Sequence, residues 1–295
     1  MAKEPIVYQA NPLVEGRRDF TLIEARIFYL GLRDIVPRLT KKVKVWGDKA
    51  YNELPVTVIS ANELVKLFGN CKYYSTLKDI CKDLSKKSIE VKGEEEGEYF
   101  FRPVFSELHY SKSKGLTIEF STKMIPYLLD LADKPFTKLP FEQVWALHSS
   151  YAMRLFELLL QYQNTKTHER TLQVEELRYC LGVPDDAYRD RMSNFRRFIV
   201  DSSVKDINEK TAYKVEYENV KEGRRIVAFK FHLYIPAELK KEKRKKQIEE
   251  IGQIIQDTAK SMDTTAPAPA VSDELREKNK KKLADLMDGL KGKSM

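Results

Sequence analysis

Apolar and polar positions alternate between two periods along this chain, and the switches mark its elements. Ile6, Val7 and Tyr8 suggest a short strand, and Asn11-Pro12 a turn. Thr21-Leu-Ile-Glu24 has the spacing of a capping box and opens a helix through ARIFYLGLRDIV that stops before Pro37. Residues 41–46 and 54–59 alternate as strands. A second capping box, Ser60-Ala-Asn-Glu63, opens NELVKLFG, which ends at Gly69. Residues 72–86 form the next helix, with Tyr73, Leu77, Ile80 and Leu84 on one face. Strands follow at 88–92, 99–110 and 116–120, separated by GEEEG and SKSKG, and a helix at 123–131 closes this half. The second half starts partly extended over 136–147. A helix over 148–163 has Tyr151, Leu155, Leu158 and Tyr162 on one face, and 170–173 is a short strand. Alternating strands at 213–220 and 226–235 are joined by Lys221-Glu-Gly223, and Pro236 ends the folded part.

Between those elements, residues 174–208 predict a helix, a turn and a second helix. Val174, Leu177 and Leu181 share a face, and Gly182 stands where a helix C-terminus favours a left-handed residue. Pro184 cannot continue the helix, and Asp185 or Asp186 can cap the next one. Tyr188, Met192, Phe195 and Ile199 form the apolar stripe of a second helix over 188–200, whose other face carries Arg189, Ser193, Asn194, Arg196 and Arg197. An ordinary basic amphipathic helix on a core gives the same stripe. The tight Gly-containing turn and the basic second helix make it a helix-turn-helix pattern. Arg suits guanine O6/N7 and phosphate, and Asn suits adenine N6/N7.

The two halves resemble each other. Ala25 to Leu32 (ARIFYLGL) aligns with Met153 to Leu160 (MRLFELLL), and Asn62 to Gly69 (NELVKLFG) with Glu175 to Gly182 (EELRYCLG). Tyr73, Leu77, Ile80 and Leu84 align with Tyr188, Met192, Phe195 and Ile199, and a hairpin follows each helix. Three matches in one order imply duplication. Each half reads helix, strand, helix, turn, helix, hairpin, the order of a winged helix domain. The expected class is therefore α+β: two tandem winged helix domains, 1–135 and 136–237, and a flexible basic tail at 238–295. In the tail, a basic run from Lys240 to Lys246 precedes Ile248, Ile251, Ile254 and Ile255, and TTAPAPAVS is a linker by composition.

Composition narrows the chemistry. The 295 residues carry 52 Lys+Arg against 44 Asp+Glu, net +8, which leans towards an acidic partner such as nucleic acid. Residues 188–200 hold four Arg against Asp190, a local +3, whereas 139–237 as a whole carry 15 basic and 14 acidic residues. The positive charge is thus concentrated on one element. No apolar run is long enough to span a membrane, and Met1-Ala-Lys-Glu-Pro5 lacks the apolar core of a secretory signal. Three cysteines (Cys71, Cys81, Cys180) without paired spacing suit a reduced, cytoplasmic protein. His109, His148, His168 and His232 are scattered, with no His-x-His beside a nucleophilic tyrosine, and no Gly-x-x-x-x-Gly-Lys-Ser/Thr loop exists. The expectation is a protein without enzymatic activity, metal or cofactor.

These residues resemble the initiator replication proteins of iteron-controlled bacterial plasmids. The resemblance is carried by Asn11 to Leu32, Ser150-Tyr-Ala-Met-Arg-Leu-Phe-Glu-Leu-Leu159, Val174 to Val183, Phe195-Arg-Arg-Phe198, Asp206-Ile-Asn208, and Gly223-Arg-Arg225 leading to Phe229. It covers about residues 5–237. It implies two tandem winged helix domains, binding of double-stranded origin repeats, melting of an adjacent AT-rich region and recruitment of host replication proteins. It also implies a homodimer in equilibrium with monomer that represses the protein's own gene, with dimer contacts in the first domain. The alternative is a winged helix transcriptional repressor without a replication role; a rolling-circle nicking enzyme is a weaker third. Candidate DNA-binding residues in the second domain are Arg189, Ser193, Asn194, Arg196 and Arg197, with Lys221, Arg224 and Arg225 on the hairpin. In the first domain they are Lys72, Ser75, Thr76, Lys78 and Lys82, with Lys86 and Lys87 beside them and Asp79 and Asp83 opposed. Lysines amid mixed charge suit phosphate contact more than base discrimination.

Overall fold

The computed structural model describes residues 5–35, 54–68 and 72–237, and residues up to Leu233 form one compact unit. The expected strand at 41–46 and the tail at 238–295 lie outside the described residues. The capping box at Thr21 is complete: its Oγ1 accepts from the Glu24 N–H at 3.4 Å and its own N–H donates to Glu24 Oε2 at 2.8 Å. It starts the helix Leu22–Arg33, which buries Ile27, Phe28, Leu30 and Leu32. At Ser60, Oγ accepts from the Glu63 N–H at 3.2 Å, while the Glu63 carboxylate takes Arg33 at 2.9 Å.

Both halves have the same sheet. In the first, Thr57–Ser60 pairs with Gly115–Phe120, which pairs with Phe105–Ser111. In the second, Glu169–Gln173 pairs with Arg225–Tyr234, which pairs with Lys214–Glu222. Each short strand feeds a helix (Ala61–Phe68 and Val174–Leu181), and another helix precedes the wing strands. These are two winged helix domains. The hairpin expected as the first wing is a different object. Ser88–Lys92 and Tyr99–Pro103 form a separate two-stranded sheet, inserted between the helix Lys72–Leu84 and the true wing.

The single strand expected over 99–110 divides at Val104. Pro103 has no N–H to donate to a ladder, so the first strand stops there and Phe105 enters the other sheet. Asn11-Pro12 opens a short helix, Asn11–Glu15, instead of a turn, because proline is suited to a helix's first turn. The helix expected at 123–131 is a 3₁₀ turn, Thr122–Met124, followed by Ile125–Leu128. Residues 136–147 contain the strand Phe136–Pro140, antiparallel to Ile6–Ala10, and the short helix Phe141–Trp145.

The helix Ser150–Leu160 lies at the centre: every residue from Ala152 to Leu160 is buried, Arg154 and Glu157 included. Glu157 receives Arg18, Arg154 and the Tyr29 hydroxyl. Arg154 also donates to the carbonyls of Val14 (2.6 Å), Gly16 (2.7 Å) and Cys180 (2.9 Å). Burial, with Arg154 alongside, lowers the Arg18 guanidinium to about 10, and Glu157 opposes that shift. The internal repeat aligns Tyr29 with Glu157, so equivalent positions of the two halves meet in one buried hydrogen bond. A buried charge group with each member partnered ties the halves together, whereas one unpaired member would be costly.

Candidate nucleic-acid interface

The helix Val174–Leu181 ends as its sequence requires. Gly182 has φ +68°, its N–H bonds to the Tyr179 carbonyl at 3.0 Å, and the Val183 N–H reaches the Arg178 carbonyl at 3.0 Å. This is the paired C-terminal closure that needs a left-handed residue. A Cβ at Gly182 would lie 2.1 Å from the Arg18 carbonyl oxygen, so close packing demands glycine as well. Arg178, buried, donates to the carbonyls of Pro184 (3.1 Å) and Ala187 (2.7 Å) and lies 5.3 Å from the centre of the Phe195 ring.

That side chain holds 184–187 in a turn, and the second helix therefore starts at Met192, not at Tyr188. Tyr188 has φ +58° and sits in the turn, although its ring still stacks on Phe198 at 6.1 Å. The helix then runs without a break through Met192–Phe195, a π-helical stretch Arg196–Asp201, and Ser202–Lys210. Phe195, Ile199, Val200 and Ile207 face the core.

The sequence candidates fall into two groups. Arg189, Ser193, Arg196, Arg224 and Arg225 line one open cleft of about 640 Å³ between the helix N-terminus and the wing, together with Glu175, Asp190 and Glu222. Asn194 and Arg197 are on the helix outside that lining, as is Lys221 on the wing. Arg189 donates to the Asp185 carbonyl. Arg197 stacks on Phe198, 5.4 Å from the ring centre. The Arg196 Nε is 3.8 Å from Asp201 Oδ2, and Tyr217 donates its hydroxyl to Asp201 Oδ1. Burial and that carboxylate raise the Tyr217 phenol well above its ordinary range. Exposed basic groups across a helix and a wing provide what a duplex backbone attracts and what base edges can pair with.

Comparison with known proteins identifies the architecture. Residues 6–160 match the "Initiator Replication protein, WH1" family and residues 173–233 match "Initiator Rep protein, WH2". The chain belongs to the initiator replication protein family. A "Pi initiator protein", solved in complex with iteron DNA, has this fold: the TM-score is 0.62 at 23% identity, covering 80% of this chain and 99% of that one. An "Uncharacterized 27.6 kDa protein" of Escherichia coli is 23% identical over 222 residues, 72% of this chain and 88% of that protein.

In this initiator's first domain, Lys78 and Lys82 are exposed on the helix Lys72–Leu84, as is Thr76; the side chains of Lys72 and Ser75 lie outside the described residues. Lys86 pairs with Asp83 at 3.5 Å. Lys87 is committed to the fold, donating to the Asp19 carbonyl at 2.8 Å and to Glu24 at 2.9 Å. Sequence reasoning missed two groups. Arg191, exposed, occupies the N-cap of the second-domain helix. Lys112 and Lys114, exposed, sit at the tip of the first wing, in the turn SKSKG. The signal was the pair of lysines in that turn, hidden because the preceding hairpin was aligned with the second wing. Among the described residues no group of three or more His, Cys, Asp or Glu is placed to hold a metal ion, and no helix is long and apolar enough to cross a membrane.

Proposed function

We propose that this initiator binds directly repeated sites in double-stranded DNA at a plasmid origin, in the bacterial cytoplasm. The observation that carries the proposal is the cleft in which Arg189, Ser193 and Arg196 of the helix-turn-helix face Arg224 and Arg225 of the wing. Family membership and the likeness to an initiator solved with iteron DNA support it. The second winged helix reads sequence through Arg189, Ser193, Asn194, Arg196 and Arg197, and its wing residues Lys221, Arg224 and Arg225 hold the backbone. The first winged helix adds affinity through Lys72, Ser75, Thr76, Lys78 and Lys82, and carries the contacts of a homodimer in equilibrium with monomer. Bound to the repeats, the protein opens the adjacent AT-rich duplex and recruits host replication proteins; as a dimer it represses its own gene. It acts by binding, without nicking a strand or hydrolysing ATP.

The test is a titration against the direct repeats flanking its own gene, a single inverted repeat and a scrambled duplex at two salt concentrations. We expect preference for the direct repeats and a steep fall of log K with log[salt], because phosphate contacts release counterions. Equal affinity for all three duplexes, a preference for the inverted repeat, or a covalent tyrosine–DNA adduct on supercoiled plasmid would each overturn the reading.

A further inference from the structure

We infer that Tyr217 and Asp201 are specificity-determining positioning residues, which hold Arg196 in one orientation over the cleft so that it reads a base rather than ranging over phosphates. The inference rests on the proposed DNA-reading role of the second domain. Its foundation is the π-helical stretch Arg196–Asp201. In a regular α-helix, residues five apart stand about 140° from each other around the axis, on different faces. A π turn closes its hydrogen bonds at i→i+5, so residues five apart come onto one face. Arg196 and Asp201 are five apart, and their side chains meet at 3.8 Å across that turn.

Three further observations give the pair its direction. Tyr217, on the wing strand Lys214–Glu222, donates its hydroxyl to the other Asp201 oxygen, so the carboxylate is held from the wing as well as from the helix. The Tyr217 ring is fixed against Phe229 and Phe231, each 5.7 Å away, which anchors the hydroxyl to the sheet. The Arg196 Nε is buried without a hydrogen-bond partner, yet 43% of the side chain is exposed and lines the cleft. The guanidinium thus has its inner edge at ion-pair distance from the Asp201 carboxylate, without a hydrogen bond, and the side chain lines the cleft. An arginine with one edge fixed loses less freedom on forming a bidentate contact, and bidentate geometry is what discriminates guanine.

The experiment has two arms. In the first, the full-length parent, Y217F, D201N, R196A and the double variant Y217F/R196A are titrated against a duplex selected from a randomised pool by the parent, its single base-pair variants, and scrambled duplex. Y217F and D201N should each narrow the specific-to-scrambled ratio about tenfold, at the lower end of what losing one base contact does, and at the base pair where R196A acts. In the R196A background Y217F should change the ratio less than about twofold, since residues acting as one unit are not additive. In the second arm, without DNA, ¹⁵N relaxation of the Arg196 Nε–H should show an ordered side chain in the parent and a mobile one in Y217F and D201N. A merely structural Tyr217 would weaken all duplexes alike and keep its effect beside R196A, and that result overturns the inference. So does a mobile Arg196 in the parent. An ordered Arg196 in a parent that prefers no duplex overturns the DNA-reading role itself, and is recognised by the second arm succeeding while selection fails.

Discussion

The two winged helices share one sheet order and differ in what is built on it. In the second domain a two-residue turn joins the wing strands, and the helix before them carries arginines and a π turn. In the first domain an extra hairpin separates helix from wing, and the helix is regular and lysine-bearing. That hairpin faces inwards, to the other domain. Glu90 exchanges backbone hydrogen bonds with Arg17 (2.8 and 3.1 Å), its carbonyl accepts the Tyr179 hydroxyl at 3.2 Å, and Lys92 lies 4.7 Å from the centre of the Tyr179 ring. Between helix and wing the second half thus has only a short link, whereas the first half has an inserted hairpin that docks on the other domain. A duplicated fold can divide labour by an insertion that leaves the sheet intact.

If the halves are tied through the buried charge group, Glu157→Ala should have the largest effect. It leaves Arg18 and Arg154 buried without their carboxylate, and breaking such a group costs about 3–5 kcal/mol. Urea denaturation should show that loss; one below about 1 kcal/mol would mean that the domains are held by something else.

Next comes the contrast in DNA contact. Arg196→Ala should lower discrimination by about 1–3 kcal/mol at one base pair, whereas Lys78→Ala should weaken all duplexes alike and reduce the salt slope by about 1. Titration of both variants at two salt concentrations decides it, and erosion of discrimination by Lys78→Ala alone would reverse the roles assigned to the two domains.

Gly182→Ala should cost at least about 1–2 kcal/mol from left-handed backbone alone, before the contact with the Arg18 carbonyl is relieved. A thermal melt of the variant checks this, and an unchanged midpoint would show that the turn relaxes freely.

The smallest effect is kinetic. Burial raises the Cys81 and Cys180 thiols, Cys81 to about 11, so both should alkylate slowly at pH 8 in a Cys71→Ser background. Cys180 adjoins Arg154 at the seam between the halves, and Cys81 lies on the inner face of the first-domain helix. Glu157→Gln should therefore speed labelling of Cys180 and leave Cys81 unchanged, as peptide mass spectrometry would show. Equal acceleration of both would indicate global unfolding instead of an opened seam.

Much of this was legible in the chain. The capping box at Thr21, the glycine at 182 and the apolar stripes of Ser150–Leu160 and Val174–Leu181 are local patterns, and each produced the element it predicts. The positive charge of 189–197 was equally visible, because charge is read along a short run of sequence, although Arg189 sits in the turn before the helix and not on its face. The wing equivalence and the start of the second helix of the helix-turn-helix were not. Tyr188 continues the apolar period, but the long-range hydrogen bonds of Arg178 hold the preceding carbonyls in a turn. Tyr217 and Asp201 gave no local signal, since they lie 16 residues apart on different elements.

By itself, then, the sequence determined the elements, their order, their duplication and the side that carries positive charge, all of which follow from spacing within a few turns of chain. Only the tertiary structure decided which hairpin is the wing, that Arg154 and Glu157 are a buried tie and not a surface pair, and that Asp201, beside Arg196, accepts a hydrogen bond from the wing residue Tyr217. The reason is physical. A side chain's period shows which face of its element it occupies, but what meets that face, and whether water is excluded there, depends on segments distant in the chain.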